Sequence, residues 1–232
     1  TLALTGKTKP YKTGLGPLPG PVWHLPYPCP ETGISVEDAL AAIDKLFAVS
    51  ADPKSVGAIV IEPVQGEGGF RACDGEFLVA LCRLCDENGM VLIADEIQSG
   101  FARTGKMFAS NHWDLVGDIL TMAKGLSSGY APIGGVMCRP HVMEAFRGDN
   151  KLSHLLTYGG HAVACAAALA NLDIIESEEL VENSAKMGAR LLKGLEELRH
   201  HPTVGDVRGL GLIAGVEIVK DKETREKFSE TG

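Results

Sequence analysis

Three charged side chains stand at the ends of apolar runs, and their types allow chemistry on a carbonyl compound. Glu62, Asp95 and Lys124 each close such a run and precede a loop. A lysine amine can attack a carbonyl carbon and form a Schiff base. A carboxylate that faces a heteroaromatic nitrogen keeps that nitrogen protonated. The same spacing also allows a plain ion pair between Asp95 and Lys124 at the edge of a sheet.

The loop that follows Lys124 favours close approach by another group. It consists mostly of small residues, over Gly125–Gly129, and glycine lets a ligand come near the backbone. A charged group here is costly to remove from water unless it is paired with another group or with a ligand. We therefore expect Lys124 to be shielded from water and to face a ligand.

The elements that position these residues alternate between strands and helices. Short apolar runs predict strands buried on both faces at residues 57–63, 90–95, 118–124 and 133–138, and a further strand at 208–219. Helices are predicted from Ser35 to about Ala48, and over residues 76–87, 162–176 and 178–199. This alternation predicts an α/β fold with a mostly parallel sheet flanked by helices. Ligands of such sheets lie beyond the carboxyl ends of the strands, where the three charged residues stand.

The composition is typical of a globular chain. Of 232 residues, 45% are hydrophobic and 22% are charged, which differs from disordered sequences. Lys and Arg total 22 and Asp and Glu total 30, so the net charge is −8. This balance argues against nucleic acid or an anionic membrane as a partner. No apolar run reaches the ~18–20 residues of a membrane span, so no membrane partner is expected.

The cysteines and histidines indicate reduced thiols and no metal. A chain of this length can build a core without disulfides, so the six scattered cysteines favour a cytoplasmic location. Cys82 and Cys85 have the C-x-x-C spacing of redox and metal sites, but they fall on the apolar face of a predicted helix. We interpret them as core residues. The seven histidines lack paired metal spacing, so no metal site is predicted.

Three long motifs carry a family resemblance. The segments Ile61–Gly69, Ala94–Gly105 and Thr121–Gly125 resemble the class III aminotransferases, and Thr1–Lys7 is similar to the 4-aminobutyrate aminotransferase branch of that family. The resemblance covers the chain in order. It implies pyridoxal 5′-phosphate (PLP) as cofactor and the large domain of the fold type I PLP transferases, in part, together with the start of a small C-terminal domain.

The resemblance implies roles for four residues near the cofactor. Lys124 matches the lysine that forms an aldimine with PLP and later moves a proton. Asp95 matches the aspartate that pairs with the pyridinium nitrogen. Gln98 matches the glutamine that hydrogen-bonds the phenolic oxygen of PLP, and Ile97 matches a residue that packs against one face of the ring.

Further roles are implied at the edge of the site. Thr157 matches the threonine that reaches the phosphate of the neighbouring subunit's cofactor, which implies a homodimer with shared active sites. Glu67 matches a glutamate that pairs with a substrate-binding arginine and swings aside between half-reactions. Glu62 matches a residue near the cofactor. For Arg103 we favour a structural role, as an internal salt bridge or loop anchor.

The chain resembles the central part of such an enzyme. It begins at Thr1 without a methionine and ends at Gly232, just after a charged stretch. In relatives the phosphate-binding loop lies upstream of the segment that matches Thr1, and the arginine that pairs with the Glu67 position lies downstream of Gly232. Residues 1–172 then correspond to part of the PLP-binding large domain. Residues 173–232 correspond to connecting helices and the start of the small domain.

The resemblance implies transamination of an ω-amino acid or amine, similar to 4-aminobutyrate. The acceptor is a 2-oxo acid, either 2-oxoglutarate or pyruvate; the segment Lys124–Pro132 looks more like the pyruvate-using branch. Other PLP enzymes on this scaffold, an aminomutase, racemase or decarboxylase, stay open. So does a folded remnant or dimerisation module that is inactive as it stands. Nucleotide binding by Gly66–Gly69 is disfavoured, because the loop lacks the G-x-G-x-x-G and Walker spacings.

Overall fold

The computed structural model describes residues 2–229, so both ends of the chain, Thr1 and residues 230–232, lie outside the described part. The strands of this part are β1 (Ala58–Ile61), β2 (Val64–Gln65), β3 (Arg71–Ala72), β4 (Val91–Asp95), β5 (Ile119–Met122), β6 (Gly135–Cys138), β7 (Val204–Leu210) and β8 (Ile213–Ile218). Its α-helices are α1 (Val36–Val49), α2 (Gly75–Asn88), α3 (Pro140–Glu144), α4 (Ala162–Ser177) and α5 (Leu180–Glu196).

The main sheet has four strands in the order β1-β4-β5-β6. β1 is parallel to β4 and β4 is parallel to β5, whereas β6 runs antiparallel to β5. The prediction of a mostly parallel sheet flanked by helices is confirmed. The carboxyl ends of β1, β4 and β5 therefore meet at one edge of the sheet.

Burial of all four strands on both faces was a wrong prediction. β1 and β6 are the outer strands, and Val60 of β1 is 41% exposed while Val136 of β6 is 65% exposed. An outer strand has a neighbour on one side only, so its side chains have fewer atoms to pack against. β4 lies between two neighbours and alternates buried with half-buried residues.

The helix boundaries follow local capping signals. The hydroxyl of Ser35 accepts a hydrogen bond from the backbone N–H of Asp38, and the Asp38 carboxylate accepts one from the N–H of Ser35. Asp74 caps α2 by accepting from the N–H of Glu76 at 2.8 Å. Gly89 ends α2 in the left-handed conformation, with φ of 69°. Each of the two N-caps, Ser35 and Asp74, stabilises its helix by about 1 kcal/mol.

The main core holds the strand that ends at Asp95. α1 and α2 pack with β1 and β4 around buried side chains that include Ile43, Leu78, Leu81 and Leu92. Burying each such side chain stabilises the fold by roughly 1.5–3 kcal/mol. β4 is thereby fixed on the helix layer, and its carboxyl end has a defined position.

Cys82 and Cys85 belong to this core. Cys85 is 1% exposed, and Cys82 packs against the same cluster. Burial raises the pKa of both thiols, that of Cys85 to about 12. A thiol that resists deprotonation is a poor nucleophile and metal ligand, which supports the interpretation of both as packing residues.

The predicted single strand at 208–219 was wrong, because this segment forms most of an antiparallel hairpin. β7 and β8 pair with each other, and the chain reverses at Gly211, whose φ is 60°. The stretch Gly209–Val216, which includes the turn, has no charged residue, so the sequence reads as one continuous strand. The turn depends on a left-handed residue for which glycine carries no Cβ clash.

The hairpin is joined to the loop that follows β4. A Cβ on Gly211 would lie 2.3 Å from the backbone carbon of Thr104, and one on Gly188 of α5 would lie 2.3 Å from the backbone carbon of Gly211. The N–H of Leu212 donates to the carbonyl of Arg103 at 2.9 Å. Arg103 thus anchors this loop through its backbone.

The proline-rich beginning of the chain is irregular. Within residues 2–29 the structure places a 3₁₀ turn at Leu2–Leu4, further turns over residues 9–14, and mostly irregular backbone elsewhere. The hydroxyl of Tyr27 lies 2.9 Å from the carbonyl oxygen of Glu62, which ties this segment to the end of β1. In the described part of the chain, no helix is both long and apolar enough to span a bilayer.

Candidate active site

The parallel strands bring Asp95 and the segment before Lys124 side by side. Asp95 is the last residue of β4 and pairs in register with Thr121 of β5. Lys124 follows the end of β5 after one residue, Ala123, and opens a 3₁₀ turn, Lys124–Leu126. Two residues with complementary chemistry, a carboxylate and an amine, therefore stand at the same edge of the sheet.

Lys124 contacts an amide rather than a carboxylate. Its Nζ donates to Oε1 of Gln98 at 2.7 Å, although the two residues are 26 positions apart. Among the described residues, no ion pair within 4.0 Å joins Lys124 to Asp95. This arrangement disfavours the plain ion pair as the explanation for the two charges.

Lys124 is exposed, so the expectation of a shielded lysine was wrong for this structure. The 3₁₀ turn places the residue beyond the sheet edge, outside the helix layer that covers β4. A cavity of about 310 Å³ opens beside it, lined by Lys124, Ser127, Gly129, Ala131, Pro132 and Ile133. This volume is within the range of small-molecule sites, about 300–1,000 Å³.

The backbone at Lys124 is strained. Its φ is 42°, in the left-handed region that favours glycine. Such a conformation costs a residue with a Cβ roughly 1–3 kcal/mol, and it persists where the surrounding structure imposes it. Gly125 follows without a side chain, and a Cβ there would lie 3.0 Å from the Cβ of Phe101. The position of the amine is thus set by a tight local fold.

Asp95 and Ile97 form one turn. Oδ1 of Asp95 accepts a hydrogen bond from the N–H of Ile97 at 3.0 Å, which orients the carboxylate. Both residues are half-buried. On the neighbouring strand, Thr121 pairs in register with Asp95, and its hydroxyl is buried and has no hydrogen-bond partner among the described residues.

Glu62 is half-buried at the end of β1 and belongs to the same electrostatic environment. Burial and the negative charge of Asp95 raise the pKa of the Glu62 carboxyl, while a backbone hydrogen bond from Gly66 and the charge of Lys124 oppose that rise. Glu62 is therefore a carboxyl that Asp95 and Lys124 both influence. Its position at a strand end agrees with the expectation from the sequence.

Glu67 and Thr157 are both exposed and make no hydrogen bond with the Lys124–Gln98 pair among the described residues. Glu67 is exposed in the loop Gly66–Gly69 and pairs with Lys7 at 3.0 Å. An exposed pair of this kind contributes about 0–1 kcal/mol, so it leaves Glu67 free to change partner. Thr157 lies in an exposed stretch, residues 149–161, and no hydrogen bond in the described part of the chain joins it to Lys124.

Glu96 was missed as a site residue by the sequence analysis. It is completely buried, and its two oxygens accept hydrogen bonds from Ser99, Ala109 and Ser110, the last through both backbone and hydroxyl. These contacts fold the following loop back onto the end of β4. The acidic doublet Asp95-Glu96 after an apolar strand was the available signal, and only its first member was assigned.

Comparison with known proteins identifies the family. The family model described as Aminotransferase class-III matches residues 1–232. The chain belongs to the class III aminotransferases. Members of this family depend on PLP.

Two curated relatives and one solved structure show how similar this aminotransferase chain is to known members. The 4-aminobutyrate aminotransferase GabT of Escherichia coli is 46% identical over 222 residues, covering 95% of this chain and 51% of the relative. The 5-aminovalerate aminotransferase DavT of Pseudomonas aeruginosa is 42% identical over 231 residues, covering 99% and 53%. An (S)-enantioselective ω-transaminase from Thermomicrobium roseum superposes with a TM-score of 0.91 at 38% identity, covering 98% and 52%. The aminotransferase chain spans about half the length of these relatives.

The residues at the sheet edge of this aminotransferase chain fit PLP. Lys124 offers an exposed amine and lines the cavity beside it, and Asp95 is an oriented carboxylate one strand away. The unpaired hydroxyl of Thr121 beside Asp95 indicates that a polar group outside the described residues completes this surface. Residues 2–229 place no group of three or more metal-ligating side chains together.

Proposed function

We propose that this chain carries the reacting lysine of a PLP-dependent aminotransferase that transfers an amino group from an ω-amino acid or amine to a 2-oxo acid. The observation that carries the proposal is the contact of Lys124 with Gln98 at the sheet edge where β4 ends with Asp95. The two curated relatives are a 4-aminobutyrate and a 5-aminovalerate aminotransferase, which supports a donor whose amine is remote from its acid group.

PLP supplies an aldehyde and an electron-withdrawing ring. Lys124 would bind the aldehyde carbon through Nζ and, once released, would accept a proton from the substrate carbon and return it. Asp95 would hold the proton of the ring nitrogen, because its charge favours a cationic partner. Gln98 would orient Nζ of Lys124 through Oε1, and Ile97 would pack against the ring.

The edge residues would select and gate the substrate. Glu67 would respond to the substrate by exchanging partners, which its exposed pair with Lys7 permits at little cost. Glu62 would add a second carboxyl near Asp95 and help to orient the site. The acceptor would be 2-oxoglutarate or pyruvate.

A homodimer is part of the proposal. Leu152, Leu155, Leu156 and Tyr158 are between 62% and 91% exposed, and large exposed apolar side chains close together indicate an interface. Thr157 lies among them, which supports its proposed reach to the cofactor phosphate of a neighbouring subunit. We also propose a cytoplasmic location, which the six free thiols support.

The division into domains is a further part of the proposal. Residues 1–172 would belong to the PLP-binding large domain, and residues 173–232 to connecting helices and the start of the small domain. The boundary falls within α4, so the connection would be helical. An alternative is that the 232-residue chain is inactive by itself, which the exposure of Lys124 favours.

Chemical trapping tests the proposal directly. The chain is incubated with PLP and reduced with borohydride, and mass spectrometry then locates the pyridoxyl group. We expect labelling at Lys124, its loss in Lys124→Ala, and no change in Lys193→Ala, which replaces an exposed lysine of α5. Labelling spread evenly over surface lysines would contradict the proposal.

Substrate tests use the product of the full reading frame. Pairing 4-aminobutyrate or 5-aminovalerate with 2-oxoglutarate, and β-alanine with pyruvate, separates the donor and acceptor classes. Amino transfer with one of these pairs is expected. Conversion of an amino acid without an acceptor would favour the racemase, aminomutase or decarboxylase alternative.

A further inference from the structure

The loop Gly66–Gly69, which carries Glu67, is held from the side of the β7–β8 hairpin. Nε of Arg208 on β7 donates to the carbonyl oxygen of Gly69 at 2.5 Å, across 139 positions of sequence. The φ of Gly69 is 111°, and a Cβ there would lie 2.8 Å from Nη2 of Arg208. A side chain at position 69 would therefore push the guanidinium away from the carbonyl.

The guanidinium of Arg208 is also held by a carboxylate on its own strand. Nη1 of Arg208 donates to Oδ2 of Asp206 at 2.7 Å, and the two side chains are only 10% and 12% exposed. Asp206 also accepts from Nη1 of Arg199 at 3.2 Å. Burial by itself would raise the pKa of Asp206, but the hydrogen bonds from Arg208 and Arg199 outweigh it and lower the pKa. A guanidinium held in this way is oriented toward Gly69 in advance.

The other end of the same loop touches the lysine site. Gly66 is buried, and a Cβ on it would lie 2.4 Å from Oε1 of Gln98, the atom that accepts from Lys124. The two ends of the loop are tied together, because the N–H groups of Gly69 and Phe70 both lie within 3.3 Å of the carbonyl oxygen of Gly66. A displacement at Gly69 is therefore transmitted to Gly66 and to the amide of Gln98.

We propose that Arg208 is a positioning residue for the lysine site. From the hairpin it holds the carbonyl of Gly69, and through the short turn to Gly66 it sets where Gln98 receives the amine of Lys124. Arg208 acts through the loop and does not touch the amine. The inference rests on the proposed function only in taking Lys124 as the reacting amine.

Hydrogen exchange without cofactor tests the positional part of the inference. In Arg208→Gln we expect the amides of Gly69 and Phe70 to exchange about tenfold faster, because the carbonyl of Gly69 loses its charged donor and the turn opens more often. The amide of Gly100, in the turn that holds Gln98, is expected to follow by a smaller factor. Amides of α2, such as that of Leu78, are expected to keep their rates.

Arg199→Gln is the matched control. Arg199 shares Asp206 with Arg208 but donates to Val207 and Glu196 instead of to the loop. This variant is expected to leave exchange at Gly69 and Phe70 unchanged. Equal acceleration at the loop in Arg199→Gln and Arg208→Gln would overturn the inference, because the loop would then depend on the ion pairs at Asp206 and not on the contact of Arg208 with Gly69.

Arg208→Lys keeps the test decisive if Arg208→Gln fails to fold. A lysine reaches Asp206 or Gly69 but not both, so the loop amides are expected to exchange at an intermediate rate. Uniform acceleration over the whole chain in Arg208→Lys would overturn the inference, since it would show a global structural role.

The second readout is borohydride trapping of PLP on Lys124. The PLP concentration that gives half-maximal labelling is expected to rise severalfold in Arg208→Gln and to stay unchanged in Arg199→Gln. Unchanged labelling in Arg208→Gln, with labelling present in the unsubstituted chain, would overturn the inference. If the unsubstituted chain itself is not labelled at Lys124, the proposed function fails, and the exchange rates at Gly69, Phe70 and Gly100 still decide the role of Arg208.

Discussion

Glu96 and Ser110 are joined by two hydrogen bonds. Oε1 of Glu96 accepts from both the N–H and the hydroxyl of Ser110, at 2.7 and 2.6 Å. Both residues are buried. Because Glu96 stands directly between Asp95 and Ile97, this relationship fixes the turn from which the carboxylate and the amide of the candidate site project.

Replacing Glu96 by glutamine is expected to lower the free energy of unfolding by about 3 kcal/mol. A hydrogen bond to a charged group contributes roughly 1.5–3 kcal/mol, and the amide would also turn an N–H₂ donor toward groups that donate. Urea unfolding followed by circular dichroism measures the change. Glu87→Gln, at an exposed position of α2, is the control and is expected to stay within about 0.5 kcal/mol. A loss below about 1 kcal/mol in Glu96→Gln would show that the buried carboxylate is dispensable.

Gly66→Ala is expected to reduce the yield of PLP labelling at Lys124, while the fold is destabilised only moderately. The new Cβ would overlap Oε1 of Gln98, so the glutamine side chain must move away from the lysine. The steric strain is expected to lower the free energy of unfolding by about 1–3 kcal/mol. Labelling yield and urea unfolding are compared with those of Gly57→Ala, where the new Cβ meets open space. Normal labelling in Gly66→Ala would mean that Gln98 does not orient the amine.

Two glycines of α5 are expected to respond in opposite ways to alanine. Gly194 is exposed and has nothing within 4 Å of a built Cβ, so Gly194→Ala should stabilise by about 0.5–1 kcal/mol through helix propensity. In Gly188→Ala the Cβ would lie 2.3 Å from the backbone of Gly211, and we expect a loss of at least about 2 kcal/mol. Thermal unfolding of both variants measures the contrast. Similar melting temperatures would contradict the close contact between α5 and the hairpin.

The Asp206 carboxylate is expected to stabilise the fold in a pH-dependent way. Its pKa is lowered below the usual 3.8 because the hydrogen bonds from Arg208 and Arg199 outweigh burial. A lowered folded-state pKa gives stability that is present in full above about pH 5 and disappears as the pH falls through the folded pKa. The difference in unfolding free energy between the unsubstituted chain and Asp206→Asn should therefore shrink between pH 5 and pH 3. In the Arg199→Gln background, which lacks one of the two donors, the effect of Asp206→Asn on the unfolding free energy should shrink less steeply. An effect of Asp206→Asn that is constant with pH would contradict the assignment.

Lys124→Gly is expected to be more stable than Lys124→Ala by about 1 kcal/mol. The φ of 42° at this position penalises a residue with a Cβ and not glycine. Both variants lack the amine, so the comparison isolates the backbone. Urea midpoints of the two variants measure the difference. A higher midpoint for Lys124→Ala would show that the backbone at 124 relaxes once the lysine is gone.

The local signals in the sequence predict much of the fold. Ser35, Asp74 and Gly89 set helix ends through contacts with residues two to four positions away, and such contacts leave a pattern in the sequence. The apolar runs likewise predict β4 and β5. Because β4 and β5 are parallel, their ends also predict where Asp95 and Lys124 come together.

Contacts between distant segments were not predictable in this way. Arg208 meets Gly69 across 139 positions, and nothing near either residue indicates the other. The hairpin turn at Gly211 lies within one apolar run, so periodicity does not show the reversal. The exposure of Lys124 and of β1 depends on which elements cover the sheet, and this is a property of packing rather than of the local sequence.

The left-handed backbone at Lys124 has a consequence for laboratory evolution of this protein. Selection for heat resistance alone rewards any replacement that relaxes position 124, and glycine is the residue that relaxes it most. Libraries screened only by residual folding after heating would therefore enrich variants that have lost the amine. A thermostability campaign on this scaffold has to score turnover in every round, or hold codon 124 fixed.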